Sequence, residues 1–256
     1  MKPQFSEFTY GYTLVEELSR DYGFSAVPVF PSLLEEGRTG GGYDAKLGIK
    51  GLPFFLQFKR SDFLGRSNSK YHAAFGGPYY RFHLHARRHS VQHDLLLQLE
   101  SYGNPVFYVA PKFHKNSELH DSYFGSSISK NSIWVAPTEI GKLPDDNEHS
   151  VCFDRLASKT YFCSEPRPIE IRMNFEKGNV EEYVSWFRQR DGFIRFHKES
   201  WQDLYSKMEY VFRTRDRVGF AKLSRYLDEE ESIVIKAGRL SRLAFGADMV
   251  NNWVTH

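Results

Sequence analysis

Residues 43–60 constrain this chain more than any other stretch: Tyr-Asp-Ala-Lys-Leu-Gly-Ile-Lys-Gly-Leu-Pro-Phe-Phe-Leu-Gln-Phe-Lys-Arg. Apolar and polar residues alternate on both sides of Lys50-Gly51, which reads as a two-residue hairpin turn. Such a turn sets Ile49 opposite Leu52, Leu47 opposite Phe54, Ala45 opposite Leu56 and Asp44 opposite Gln57. Directly opposed residues share a sheet face, and faces alternate along each strand. One face then holds Ala45, Leu47, Ile49, Leu52, Phe54, Leu56 and Phe58, all apolar. The other carries Asp44, Lys46, Gly48, Pro53, Phe55, Gln57 and Lys59, and is expected to face away from the core. A slip of one residue would exchange the two faces.

Asp44, Gln57 and Lys59 therefore converge at the open end of the hairpin. A carboxylate suits a hard cation such as Mg²⁺, and the Gln57 amide or the Phe58 carbonyl adds a neutral oxygen ligand. An ammonium at Lys59 can orient an attacking water or stabilise charge on a phosphoryl oxygen. The plainer alternative is an amphipathic hairpin with a polar outer face.

Around the hairpin, a helix is expected over about the first 20 residues, with Phe8, Tyr12, Val15, Leu18 and Tyr22 as its apolar stripe. Residues 24–30 read as a strand, Ser90 to about Tyr102 as a helix with Val91, Leu95, Leu96 and Leu99 apolar, and 105–110 as a buried strand. Further strands are expected at 132–137 and near 151–153 and 169–175. Helices are expected from Asn179 to about Arg190 and from Ser200, the latter with Trp201, Leu204, Tyr205, Met208, Val211 and Phe212 as a core stripe. The order through residue 110 is helix, strand, strand, strand, helix, strand.

That order, with Asp44 followed by Gln57-Phe58-Lys59, resembles the PD-(D/E)XK nuclease superfamily. The resemblance covers residues 1–110 well and the later strands loosely. Tyr43 stands where the family name has Pro, and Gln57 where it has an acid. The resemblance implies an α/β restriction-endonuclease-like core with a mixed sheet, in a domain of residues 1–175, followed by a helical extension over 176–256. It implies a metal-dependent nuclease hydrolysing phosphodiester bonds in DNA, serving bacterial defence or DNA processing. It gives catalysis to Asp44, Gln57, Lys59 and Glu7, and Mg²⁺ (or Mn²⁺) to Asp44, Gln57, Phe58 and Glu7. The alternative is a catalytically degenerate nuclease fold that binds nucleic acid or a protein partner; a homodimer is also compatible.

A second carboxylate is expected from the first helix, because Mg²⁺ normally takes one or two from protein. Glu16 and Glu17 read as solvent-facing, since their helical neighbours are largely polar. Glu7 heads a row with Gly11, Leu14 and Leu18 that turns towards the sheet. The competing role for Glu7 is complementing the helix dipole in the first turn.

Charge narrows the partner. The chain has 34 basic and 32 acidic residues, formally +2, which excludes a histone-like surface but not a local basic groove. Lys59, Arg60, Arg66, Lys70, Arg81, Arg87 and Arg88 face one acid, Asp62, before Val91. That segment is +6 within a chain of +2. Arg60, Arg66, Lys70, Arg81, Arg87 and Arg88 are the candidates for phosphate contacts, with Tyr71, Phe75, Tyr79 and Tyr80 interleaved to stack on bases. A solvated loop is the alternative. His83, His85, His89 and His93 read as structural or DNA-contacting rather than as a zinc site, since neither Cys nor Glu completes a ligand set. No apolar run approaches the length of a membrane span, so a cytoplasmic location is expected without a membrane partner. Cys152 and Cys163 are expected to be reduced thiols in that setting.

Overall fold

A computed structural model describes residues 1–22, 54–88, 92–101, 105–171, 198–215 and 248–250, with scattered positions between 220 and 240. The expected strands at 24–30 and 43–53, the Lys50-Gly51 turn, Asp44, His89, Ser90 and the 179–190 helix lie outside the described residues. The chain forms two compact units. One comprises Met1–Leu18, Phe58–Ser90 and Tyr108–Tyr183; the other comprises Ser19–Gln57, Val91–Phe107 and Val184–His256.

The described elements make an α/β protein. Helix α1 (Glu7–Tyr22) precedes strands β1 (Phe54–Phe58) and β2 (Asp62–Leu64), the short helix α2 (His72–Phe75) and β3 (Tyr79–Leu84). Then come α3 (Gln92–Ser101), β4 (Val106–Pro111), α4 (Asn116–Phe124), β5 (Ser132–Val135), α5 (Pro137–Ile140), β6 (His149–Phe153), β7 (Thr160–Phe162) and β8 (Arg167–Pro168). The last are α6 (Lys198–Arg215) and β9 (Asp248–Val250). One sheet has the order β5-β4-β1-β9, the other β2-β3-β6-β7-β8. The five-stranded sheet is antiparallel throughout. The four-stranded sheet is mixed. Phe55 N–H donates to the Pro105 carbonyl and Lys59 N–H to the Val109 carbonyl, so β1 and β4 advance together. β5 and β9 run antiparallel to their neighbours.

The surroundings of β1 require one correction. The polar face of β1 was expected to be open, yet Phe55, Leu56, Gln57, Phe58 and Lys59 are all buried. Parallel strands are commonly covered on both faces, because their crossover connections lay helices on the sheet. All six residues of β4 are likewise buried.

Residues 60–89 carry three elements that weak periodicity concealed. Within β3, Tyr80, Phe82 and Leu84 are buried, while Arg81 and His83 are half-buried. The aromatics expected to stack on bases are largely core. Phe75, Tyr79 and Tyr80 are buried, and Phe75 stacks on Tyr79 at 4.8 Å. The Tyr71 hydroxyl donates to the Cys163 carbonyl. Tyr80 and Phe82 each meet Phe153, at 5.8 and 6.2 Å between centroids.

The expectation of two free thiols is also overturned. Cys152 and Cys163 form a disulfide. Adjacent strands β6 and β7 bring them together: Cys152 pairs with Tyr161, and Cys163 N–H donates to the Ser150 carbonyl at 2.9 Å.

Helix α1 begins where Ser6 Oγ accepts from Thr9 N–H at 3.0 Å. Its buried face differs from the expected stripe. Val15 and Leu18 are buried, but Phe8 is 49% and Tyr12 40% exposed. Tyr10, Gly11, Thr13, Leu14 and Glu17 are buried instead. The Tyr10 hydroxyl donates to Ser132 Oγ at 2.7 Å and Thr13 Oγ1 to the Tyr10 carbonyl at 2.9 Å, so these polar atoms tolerate burial. In the second unit, α3 packs on α6, where Leu204, Met208, Val211 and Phe212 form the expected buried stripe.

The row through Gly11 does face β1, as its sequence pattern indicates. A Cβ added at Gly11 would lie 2.9 Å from Phe58 Cδ2 and 3.1 Å from Cε2, and Phe58 is core. Gly11→Ala sets a helix-propensity gain of about 1 kcal/mol against overpacking of about 1–3 kcal/mol. Overpacking should win, because the ring cannot retreat. Chemical denaturation is expected to show a net loss of about 1 kcal/mol; a more stable variant would show that the helix has room to shift.

Candidate functional site

The first unit assembles a carboxylate and an ammonium from separate elements. Lys59 follows β1 directly and is 7% exposed. Its backbone N–H is tied to the Val109 carbonyl at 2.8 Å, and its ammonium lies 5.8 Å from the centre of the Tyr108 ring. Burial pushes its pKa below the usual lysine range, and the charge of Glu7 opposes that shift. Glu7, in the first turn of α1, is half-buried. Burial raises its pKa, against the charges of Lys59 and Arg60 and a hydrogen bond accepted from Arg60 N–H. Each group thus stabilises the charged form of the other. His85, just past β3, feels the same ammonium: chiefly Lys59, then burial, holds its pKa below the ordinary value.

Glu17, expected to face solvent, is fully buried. Its carboxyl oxygens accept from Ile128 N–H at 2.6 Å, Ser129 N–H at 2.9 Å and Ser129 Oγ at 2.6 Å. Three donors make the group an anchor for the backbone at Ile128 and Ser129. Glu16 is half-buried. Of the three acids of α1 weighed for the site, Glu7 is the one whose charge acts on Lys59.

In the second unit, Gln57 is 5% exposed, and its Oε1 accepts from Gln92 Nε2 at 2.8 Å. Gln92 opens α3 and was missed, because one glutamine at a helix start carries no pattern of its own. Asp44 lies outside the described residues. Among the described residues, no group of three or more His, Cys, Asp and Glu is arranged to hold a metal ion. The described donors named for the metal are the Glu7 carboxylate, the Phe58 carbonyl and the Gln57 amide, an all-oxygen chemistry that suits Mg²⁺.

The basic segment divides. Arg60, Arg66, Lys70, Arg87 and Arg88 are exposed. Arg81 instead donates to Asp62 at 3.2 Å. Asp62 also meets Lys2 at 3.5 Å and His83 at 3.4 Å. Burial would raise the Asp62 pKa, but the Arg81 hydrogen bond, Lys2 and His83 together bring it below the ordinary value. His83 reaches Glu148 as well, at 2.7 Å. Arg87 lies 3.9 Å from Asp146. His93 is buried. Among the described residues, no helix is long and apolar enough to cross a membrane.

No protein-family profile matches the chain, and neither a curated protein nor a solved structure matches it.

The roles assigned to the α1 acids can be separated by stability. Glu17→Ala strands three donors in the core and should cost about 3 kcal/mol or more, while Glu16→Ala should stay within about 0.5 kcal/mol of the parent. Urea denaturation of the two variants checks this. Equal losses would remove the anchoring role from Glu17.

Proposed function

We propose that this chain is a metal-dependent nuclease hydrolysing phosphodiester bonds in DNA, built on a restriction-endonuclease-like core. What supports the reading is that Glu7, from the helix before the sheet, and Lys59, just past the strand bearing Gln57-Phe58, act on one another electrostatically, each favouring the charged form of the other. An acid from that helix beside the lysine of the motif is what the sequence resemblance calls for.

In this reading Asp44 and Glu7 would hold Mg²⁺, with the Phe58 carbonyl as a neutral ligand. The ion, when bound, supplies Lewis-acid activation of water and neutralises charge at the phosphate. Lys59 orients the attacking water or stabilises the phosphoryl oxygens. Its burial strengthens both effects, since charge acts over a lower dielectric there. Cation binding would also draw the Glu7 pKa down, reversing the effect of burial. Arg60, Arg66, Lys70, Arg87 and Arg88 track the phosphate backbone. Arg81 is engaged by Asp62 and contributes less.

One observation favours a second reading, a degenerate nuclease fold that binds nucleic acid or a protein partner without cutting. Gln57 lacks the negative charge of an acid, and its oxygen already accepts from Gln92.

Cleavage of plasmid and single-stranded DNA with Mg²⁺ or Mn²⁺, against EDTA, tests the proposal. Cleavage should require the metal. Asp44→Ala and Lys59→Met should abolish it, and Glu7→Gln should lower it by about tenfold or more, with partial rescue by Mn²⁺. Stability of Lys59→Met is measured alongside, because Lys59 is core. DNA binding without cleavage by the parent protein would establish the second reading, and full activity of Asp44→Ala would sink the first.

A further inference from the structure

The disulfide Cys152–Cys163 closes a loop of the first unit that holds β7 and the β6–β7 turn. Three contacts from that loop seat the segment leading into and through α2. The Lys159 ammonium donates to the carbonyls of Phe75 and Ala74, at 3.2 and 3.3 Å, at the end of α2. The Tyr161 ring meets Phe75 edge-on at 5.5 Å. The Cys163 carbonyl accepts from the Tyr71 hydroxyl. Both cysteines also share a core cluster with Phe75 and Tyr79. Upstream of Tyr71 the segment is tied locally, by Ser69 N–H to the Arg66 carbonyl and His72 N–H to the Ser69 carbonyl. It presents Arg66 and Lys70 to solvent.

We infer that Cys152–Cys163 is a redox-sensitive clasp that holds the segment from Arg66 to Phe75 in place. The two sulfurs differ in access. Cys152 is fully buried within β6, between β3 and β7. Cys163 lies just past β7, beside the exposed residues 164–168. β7 has three residues and its outer neighbour β8 has two, so this end of the sheet opens more readily than β3 and β6. A dithiol reduces the pair by two exchanges. Its first thiolate attacks the Cys163 sulfur. That sulfur–sulfur bond forms as the Cys152–Cys163 bond breaks, and the Cys152 thiolate leaves and takes a proton. The second thiolate of the reductant then attacks the reductant sulfur of the mixed disulfide and releases Cys163, which is protonated. Two electrons and two protons pass to the protein, and the reductant ends as a disulfide. Without the crosslink the loop gains conformational freedom, and the seat of α2 loosens with it.

Arg66 and Lys70 are candidates for phosphate contacts. Under the proposed function, on which this consequence alone rests, reduction also weakens DNA binding.

Limited trypsin digestion of the full chain, oxidised and reduced by dithiothreitol, tests the clasp. Thiol titration after removal of the reductant and denaturation should count two thiols, the two cysteines of the chain. A disulfide that survives dithiothreitol in the native protein would overturn the inference. Cleavage after Arg66 and Lys70 should quicken by about tenfold or more on reduction, while cleavage after the exposed Lys115 and Lys130 stays near its oxidised rate. The double variant Cys152→Ala/Cys163→Ala should match the reduced chain and no longer respond to dithiothreitol. Unchanged cleavage at Arg66 and Lys70 would overturn the clasp, and so would equal quickening at all four sites, which is general unfolding. Fluorescence anisotropy with a labelled DNA duplex in EDTA reads the consequence: reduction should weaken binding by about fivefold or more. Equal affinity of the two forms would overturn that consequence. Absence of binding by both forms would count against the proposed function, while the trypsin result still decides the clasp.

Discussion

A lysine ammonium buried at the end of a core strand is the constraint around which the first unit is arranged. Lys59 is 7% exposed, and moving such a charge from water is costly unless an opposite charge meets it. Glu7 meets that need, and its position depends in turn on α1. The helix approaches β1 closely because Gly11 presents no side chain to the Phe58 ring. It is held in rotation by the Tyr10 hydroxyl on Ser132 and by Glu17 on the 128–129 backbone. Lys59 is fixed by its backbone bond to Val109. The buried Lys59 and the half-buried Glu7 thus rest on hydrogen bonds and ring packing several residues away.

The same logic recurs in the five-stranded sheet at lower burial. Asp62 gathers Arg81, His83 and Lys2, and His83 reaches Glu148. A basic tract that could serve entirely as phosphate contacts is therefore partly structural. His114 illustrates the apolar counterpart. It stacks on Phe63 at 4.2 Å, and burial holds its pKa below the ordinary histidine value. Its backbone N–H and that of Lys115 donate to Glu118, fastening the start of α4.

Local periodicity made the long elements legible. Helix α1, strands β4, β5 and β6 and the stripe of α6 follow directly from it. Glu7 was legible too, because Gly11, Leu14 and Leu18 mark its side of the helix. Glu17 was not: its partners Ile128 and Ser129 lie more than 110 residues away. Burial of a carboxyl group depends on such donors rather than on its helical neighbours. In β3, Tyr80, Phe82 and Leu84 are buried, but the short alternation was lost within a tract whose basic and aromatic composition suggested nucleic-acid contact. The disulfide depended on the β6–β7 register, which two isolated cysteines do not encode. Both faces of β1 are buried, as happens where a sheet has layers packed on each side, and no local pattern specifies that cover.

The coupling between Glu7 and Lys59 is the quantity on which this account turns. A double-mutant cycle of Glu7→Gln, Lys59→Met and the double variant, followed by urea denaturation, measures it directly. Removing either charge alone leaves the other, buried Lys59 or half-buried Glu7, without its counter-charge, so each single variant should lose more than the pair is worth. The double variant should then be more stable than additivity predicts by about 1 kcal/mol or more. Additive losses, within about 0.5 kcal/mol, would show that the two charges do not support one another, and would contradict the account.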